Sequence, residues 1–243
     1  FNVAYAGRLD WGTLQARAYY QDTQHEMDFG EDRRFWYGPG QPPAGSGGDT
    51  AVNGSPCSPI SGSMMVGGQM VGCAAGMPMK ADGKTTGVTV NASIPLAEQG
   101  LVRIGGEFQG FRLDDWWPPS GAGMWPYEFL NINDGERDRY AAYGEWELES
   151  GRWSSIVGVR YERVATDAGP VHGYNLDTFP TSGTGGMGNQ TRDAALFNSQ
   201  SRDRSDGNWD VSWIARFTPA DTQAYELGLA QKTRSPNLYE RYT

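Results

Sequence analysis

The chain has 243 residues with 29 acidic and 20 basic side chains, a net charge of −9. That balance excludes nucleic acid as a partner, because phosphate binding needs a clustered basic surface. Mean hydropathy is −0.60 and no run of about 18 apolar residues occurs, so no transmembrane helix is encoded. A spanning β-strand is compatible with both facts, since only every second residue meets lipid.

Eight strands are predicted from alternation of apolar and polar residues. The first, about 1–10, places Val3, Tyr5, Gly7 and Leu9 on one face. The second, about 13–28, sets Leu14, Ala16, Ala18 and Tyr20 against Gln15, Arg17, Tyr19 and Gln21. The face with arginine and glutamines must be a wet lumen, because a charge at the bilayer midplane costs about 2–4 kcal/mol. In the third (about 85–96), Val88, Val90, Ala92, Ile94 and Leu96 oppose Gly87, Thr89, Asn91 and Ser93. In the fourth (about 101–114), Val102, Ile104, Gly106 and Phe108 oppose Arg103, Glu107 and Gln109. The fifth (about 138–149) sets Tyr140, Ala142, Gly144, Trp146 and Leu148 against Arg139, Tyr143, Glu145 and Glu147. The sixth (about 153–167), seventh (about 208–218) and eighth (about 223–234) repeat the pattern around Val157–Tyr161, Trp209–Phe217 and Tyr225–Leu229. Lumen charges of opposite sign, such as Arg103 with Glu145 or Arg160 with Glu147, are expected to pair.

The connections alternate in length. Tight turns at Asp10-Trp11-Gly12, Glu98-Gln99-Gly100, Ser150-Gly151-Arg152 and Pro219-Ala220-Asp221-Thr222 lie at one end; polar loops of roughly 30–83, 116–136 and 168–207 lie at the other. Short periplasmic turns with long outer loops mark an antiparallel transmembrane β-barrel of the bacterial outer membrane. The nine tryptophans and twelve tyrosines suit its interfacial girdles. The pattern starts inside a strand at Phe1, and Tyr239–Thr243 form no closing strand. Residues 1–243 are therefore expected to be one partial barrel domain, part of a larger barrel and without a plug.

Cys57 and Cys73 share the first long loop. In an oxidising compartment such a pair is most simply a disulfide, which in the chain-entropy model adds roughly 3 kcal/mol; thiolate metal ligation is the alternative. No nucleophile elbow, zinc-protease motif or phosphate loop occurs, so no enzyme is expected.

His25 and Met27 stand two apart at the outer end of the second strand and therefore share a face, the lumen. Imidazole plus thioether is a soft donor pair suited to copper. The bland alternative is a hydrogen-bonded lumen histidine with a methionine packing beneath the loop. All eight methionines fall in outer loops or at outer strand ends, including Met77 and Met79 across Pro78. Such thioethers serve either a soft metal or an adaptable apolar lid. Loop aromatics Phe35, Trp36, Tyr37, Trp116, Trp117, Trp125 and Tyr127 would equally grip an aromatic chelate or pack the loops.

The run Tyr19-Tyr20-Gln21-Asp22-Thr23-Gln24-His25-Glu26-Met27-Asp28-Phe29, followed by Met77-Pro78-Met79, resembles the barrel of TonB-dependent outer-membrane receptors, most of all the copper receptors. Lys232–Tyr242 is similar to a segment common in that family at the outer end of a mid-barrel strand. The resemblance implies a barrel of about 22 strands around an N-terminal plug, importing a scarce ligand with energy delivered through TonB. In the copper receptors a His-x-Met pair on the barrel joins a cysteine and a methionine of the plug around copper; His25 and Met27 match the barrel half. Met77 and Met79 match a family pattern without an assigned role. The alternatives are uptake of an iron-siderophore or other metal chelate and, from another class, a passive structural or adhesive barrel in outer-membrane lipid.

Overall fold

The computed structural model describes residues 1–27, 79–96, 100–118, 127–174 and 190–243, together with the backbone of three short strands between 35 and 74. In chain order the elements are β1 (Asn2–Leu9), β2 (Gly12–Met27), β3 (Phe35–Tyr37), β4 (Ser63–Val66), β5 (Gln69–Ala74), β6 (Met79–Pro95), β7 (Leu101–Trp117), β8 (Phe129–Ser150) and β9 (Trp153–Asp167). There follow α1 (Gln190–Asn198), β10 (Arg204–Ala220), β11 (Gln223–Gln231) and α2 (Leu238–Tyr242).

Eight strands form one sheet in the order β1-β2-β6-β7-β8-β9-β10-β11, and β3-β5-β4 form a small separate sheet. Every neighbouring pair is antiparallel. This is the wall of an antiparallel β-barrel, each strand bonded to the next so that backbone polar groups are satisfied within the sheet.

The two faces differ as the alternation requires. Val3, Tyr5, Val90, Ile104, Trp146, Val159, Trp209, Val211 and Leu229 all stand exposed on one face. In water so broad an apolar surface would drive association. Against lipid it is the matched face. On β6 it runs inward from Lys84 to Leu96, about 40 Å along the strand. At a tilt of about 40° that spans about 30 Å of membrane. Its outer limit is a row of charges across five strands: Asp22 opposes Lys84, Lys84 opposes Arg112, Arg112 opposes Glu136 and Glu136 opposes Asp167.

The lumen face carries interlocked polar groups. Arg103 pairs with both Glu145 and Glu147, the latter at 2.6 Å. Arg139 pairs with Glu107, and Arg160 reaches Glu107 at 3.1 Å and Glu162 at 3.3 Å. The expected Arg103–Glu145 pair forms; the expected Arg160–Glu147 pair does not. Register decides this: Arg103 lies directly opposite Glu145 with Glu147 one step along the same face, whereas Arg160 lies opposite Tyr143, four residues from the partner of Glu147, and reaches Glu107 and Glu162 instead. Tyr19 lies flat across Gly87, where a Cβ would come within 2.2 Å of the ring. Its hydroxyl accepts from Gln109 at 3.1 Å.

Several strands run further outward than alternation predicts. β6 begins at Met79 rather than near 85, β7 reaches Trp117, β8 begins at Phe129 rather than near 138, and β10 begins at Arg204. Beyond the charged row no hydrocarbon demands apolar side chains, so the ladder continues without the pattern that reveals it. α1 and the sheet β3–β5 likewise stand where loops were expected.

The turns at the other end are tight. Gly12 and Gly100 take φ of +150° and +137°, and a Cβ at Gly100 would fall 1.9 Å from the Glu147 carbonyl oxygen. Gly100→Ala is expected to lower stability by about 2 kcal/mol. Urea unfolding of the receptor in detergent, followed by tryptophan emission, measures this; an unchanged midpoint contradicts it.

Candidate metal centre at the outer mouth

The register between β2 and β6 runs unbroken from Thr13 opposite Ser93 to Met27 opposite Met79. His25 therefore keeps the parity of Arg17 and Tyr19 and faces the lumen, opposite Ala81. Met27 follows on the same face, exposed, with Met79 directly across. Glu26, between them in sequence, points the other way and meets Lys80 at 3.4 Å. The carboxylate is thus kept off the face that carries the soft donors.

Two rows cross the lumen wall at this level. The inner row runs His25, Ala81, Asp115, Ile132. The outer row begins with Met27 and Met79 and ends with Trp117 opposite Phe129. Trp117 stands one residue beyond the last paired position of β6 and β7, Lys80 with Trp116, and hence beside Met79. Its ring stacks on Phe129 at 5.1 Å and 23°, and Phe129 in turn meets Tyr174 at 5.6 Å.

The register of β7 with β8 shifts between Leu113 and Trp116, a bulge containing Asp134 at φ +47°. Asp tolerates this left-handed conformation better than most residues, and Asp134 N–H donates to Asp114 at 2.8 Å. The bulge turns Ile132 into the lumen, where it packs with Leu113, Ala168, Leu238 and Tyr242. This small cluster seats the segment 233–243, which folds back across the wall as a strap ending in α2. Asn237 and Glu240 close a reciprocal capping box at its start. Tyr239 donates to Asp115 at 2.7 Å, Tyr242 donates to the Arg202 carbonyl at 2.6 Å, and Arg241 pairs with Asp206. Burial first, and Asp115 second, push the Tyr239 phenol well above its ordinary range. The Arg234 guanidinium and the Asn237 amide hold the Glu240 carboxyl down to about 2.

Of the sequence candidates, the structure brings His25, Met27 and Met79 onto one patch. Met77 and Cys57 lie outside the described residues, so the proposed Cys57–Cys73 bridge does too; only the backbone of Cys73 is placed, in β5 opposite Trp36. His172 is elsewhere: its Nδ1 lies 3.0 Å from the Gly173 carbonyl and its ring edges against Tyr127. Among the described loop aromatics, Trp117 and Tyr127 pack against neighbouring rings. Asp115 was missed as a lumen residue. It is fully buried and two strands from His25, about 10 Å between backbones.

A family model for the TonB dependent receptor-like β-barrel matches residues 1–243, and the chain belongs to that family. Among solved structures it is similar to a protein titled copper transporter OprC, at 16% identity and a TM-score of 0.58. The match covers 98% of this chain and 32% of that one, so the chain spans about a third of that transporter's length. No curated protein matches.

Two outcomes test the strap. Leu238→Ala removes a fully buried side chain and is expected to loosen the strap by about 3 kcal/mol, read as faster amide exchange over 238–242. Because the folded Glu240 pKa lies below its ordinary 4.5, its contribution is complete above pH 4.5 and lost as pH falls toward about 2. Exchange at the Glu240 amide should quicken across that window in wild type and not in Glu240→Gln; equal profiles contradict the assignment.

Proposed function

We propose that this chain is part of the wall of a bacterial outer-membrane receptor that imports copper with energy delivered through TonB, and that His25 and Met27 are its barrel ligands. The observation that carries the reading is their common placement on the lumen face at the outer mouth, where an incoming ion first meets the wall. Imidazole and thioether are soft donors that favour copper over magnesium or calcium. Family membership supports the transport role, and the fold similarity to a protein titled copper transporter agrees with the choice of ion. The lumen around the pair is polar and the wall facing lipid is apolar, the arrangement of a water-filled pathway.

The strap contributes to this reading. It lies against the wall, bonded to β7, β9 and β10, and leaves the β2–β6 side of the mouth to the donor patch.

The test is copper counting. The whole receptor, purified in detergent and loaded with Cu(I) under a reductant, is expected to retain about one ion per chain. His25→Ala with Met27→Ala should weaken retention by about 100-fold or more, beyond what loss of an outer-shell partner does. Stoichiometric copper persisting in the double variant contradicts the assignment. An iron chelate bound equally by both proteins, with no copper in either, points to siderophore uptake instead.

A further inference from the structure

Sequence spacing pairs Met79 with Met77 across a proline, but the ladder pairs it with Met27. Met27 and Met79 are directly opposed on antiparallel strands, which sets their Cβ atoms about 5 Å apart, with His25 on the diagonal about 7–8 Å from Met79. Three donors thus converge on one patch held by two strands whose register runs without a bulge. Trp117 lies on the far side of Met79, fixed by its stack on Phe129. Its indole Nε1 is buried and has no hydrogen-bond partner among the described residues. A buried indole usually finds a partner.

We infer that Met79 is a third barrel ligand and that the Trp117 ring covers the open side of the His25–Met27–Met79 set, making it a site for a monovalent soft ion, Cu(I). This rests on the copper reading of His25 and Met27. One imidazole and two thioethers form a neutral, sulfur-rich set, whereas Cu(II) favours tetragonal nitrogen and oxygen donors. Among the described residues no carboxylate joins them: Glu26 faces away with Lys80, and Asp115 is buried against Tyr239. The barrel half of the site thus adds no negative charge of its own, and a singly charged ion is held there at less cost than a divalent one, since the penalty for burying charge is steep. The indole face attracts a cation by its quadrupole and also packs well against thioether sulfur. Trp117 therefore shields the ion from water and acts as a positioning group for Met79.

The experiment uses the whole receptor in detergent, kept anaerobic with a reductant, with Cu(I) delivered from a bathocuproine disulfonate competition buffer. Met79→Leu, close in size, is expected to weaken Cu(I) binding about tenfold or more. Cu(I) should quench part of the tryptophan emission of wild type, and Ag(I), which is redox-inert, should do the same. That component should vanish in Trp117→Phe and persist in Trp116→Phe, the outward-facing neighbour. Met79→Leu binding within twofold of wild type, or quenching that survives in Trp117→Phe, overturns the inference and leaves the His25–Met27 reading standing. Failure of wild type to bind Cu(I) overturns both.

Discussion

A peptide N–H or C=O facing hydrocarbon without a partner costs several kcal/mol, and water is not there to help. The continuous pairing of eight neighbouring strands answers that constraint, and most other features of the chain follow from it. Once the backbone is extended and paired, side chains must alternate between the two solvents. The outward face then carries exposed Val, Leu, Trp and Tyr, and the inward face carries arginines and carboxylates in shared networks. Among the described residues, the hydrophobic core that a water-soluble domain needs shrinks to a cluster of five buried residues, which seats one strap.

The same parity decides where chemistry can occur. A one-residue slip of β2 would carry every lumen side chain to the lipid face, His25 and Met27 included. Their donors are therefore aimed by the thirteen-to-twenty-seven register as a whole, which is pinned along its length by pairs such as Arg17 with Thr89 and Tyr19 with Gly87. Tyr19 lying over Gly87 helps to fix that register, since a side chain there would collide with the ring. The bulge in β8 breaks that parity locally and delivers Ile132 to the strap; a second register shift, between Phe217 and Ala220, lies beside the tight turn joining β10 and β11.

How much of this was legible in the sequence follows from the same physics. Within the membrane, two solvents write a period of two into the chain, so all eight wall strands, their faces and their tight turns could be read. Above the charged row both faces meet water and the period fades, which is why the outer ends of β6, β7 and β8 were read as loops. The Asn237-x-x-Glu240 capping box was a readable helix start; its burial against Ile132 was not, because the bulge has no local signature. The shared lumen face of His25 and Met27 was readable from their spacing within one strand. The opposition of Met27 to Met79 was hidden, since it depends on where β6 begins, some fifty residues after β2 ends.

The most direct measurement places a nitroxide at each position from 87 to 94 of β6 in the whole receptor, reconstituted in lipid vesicles. Accessibility to oxygen, which concentrates in lipid, is compared with accessibility to a water-soluble nickel chelate. Labels at Val88, Val90, Ala92 and Ile94 should favour oxygen, and those at Gly87, Thr89, Asn91 and Ser93 the nickel complex. A profile without that two-residue period, or with its phase inverted, would contradict the barrel wall and everything placed upon it.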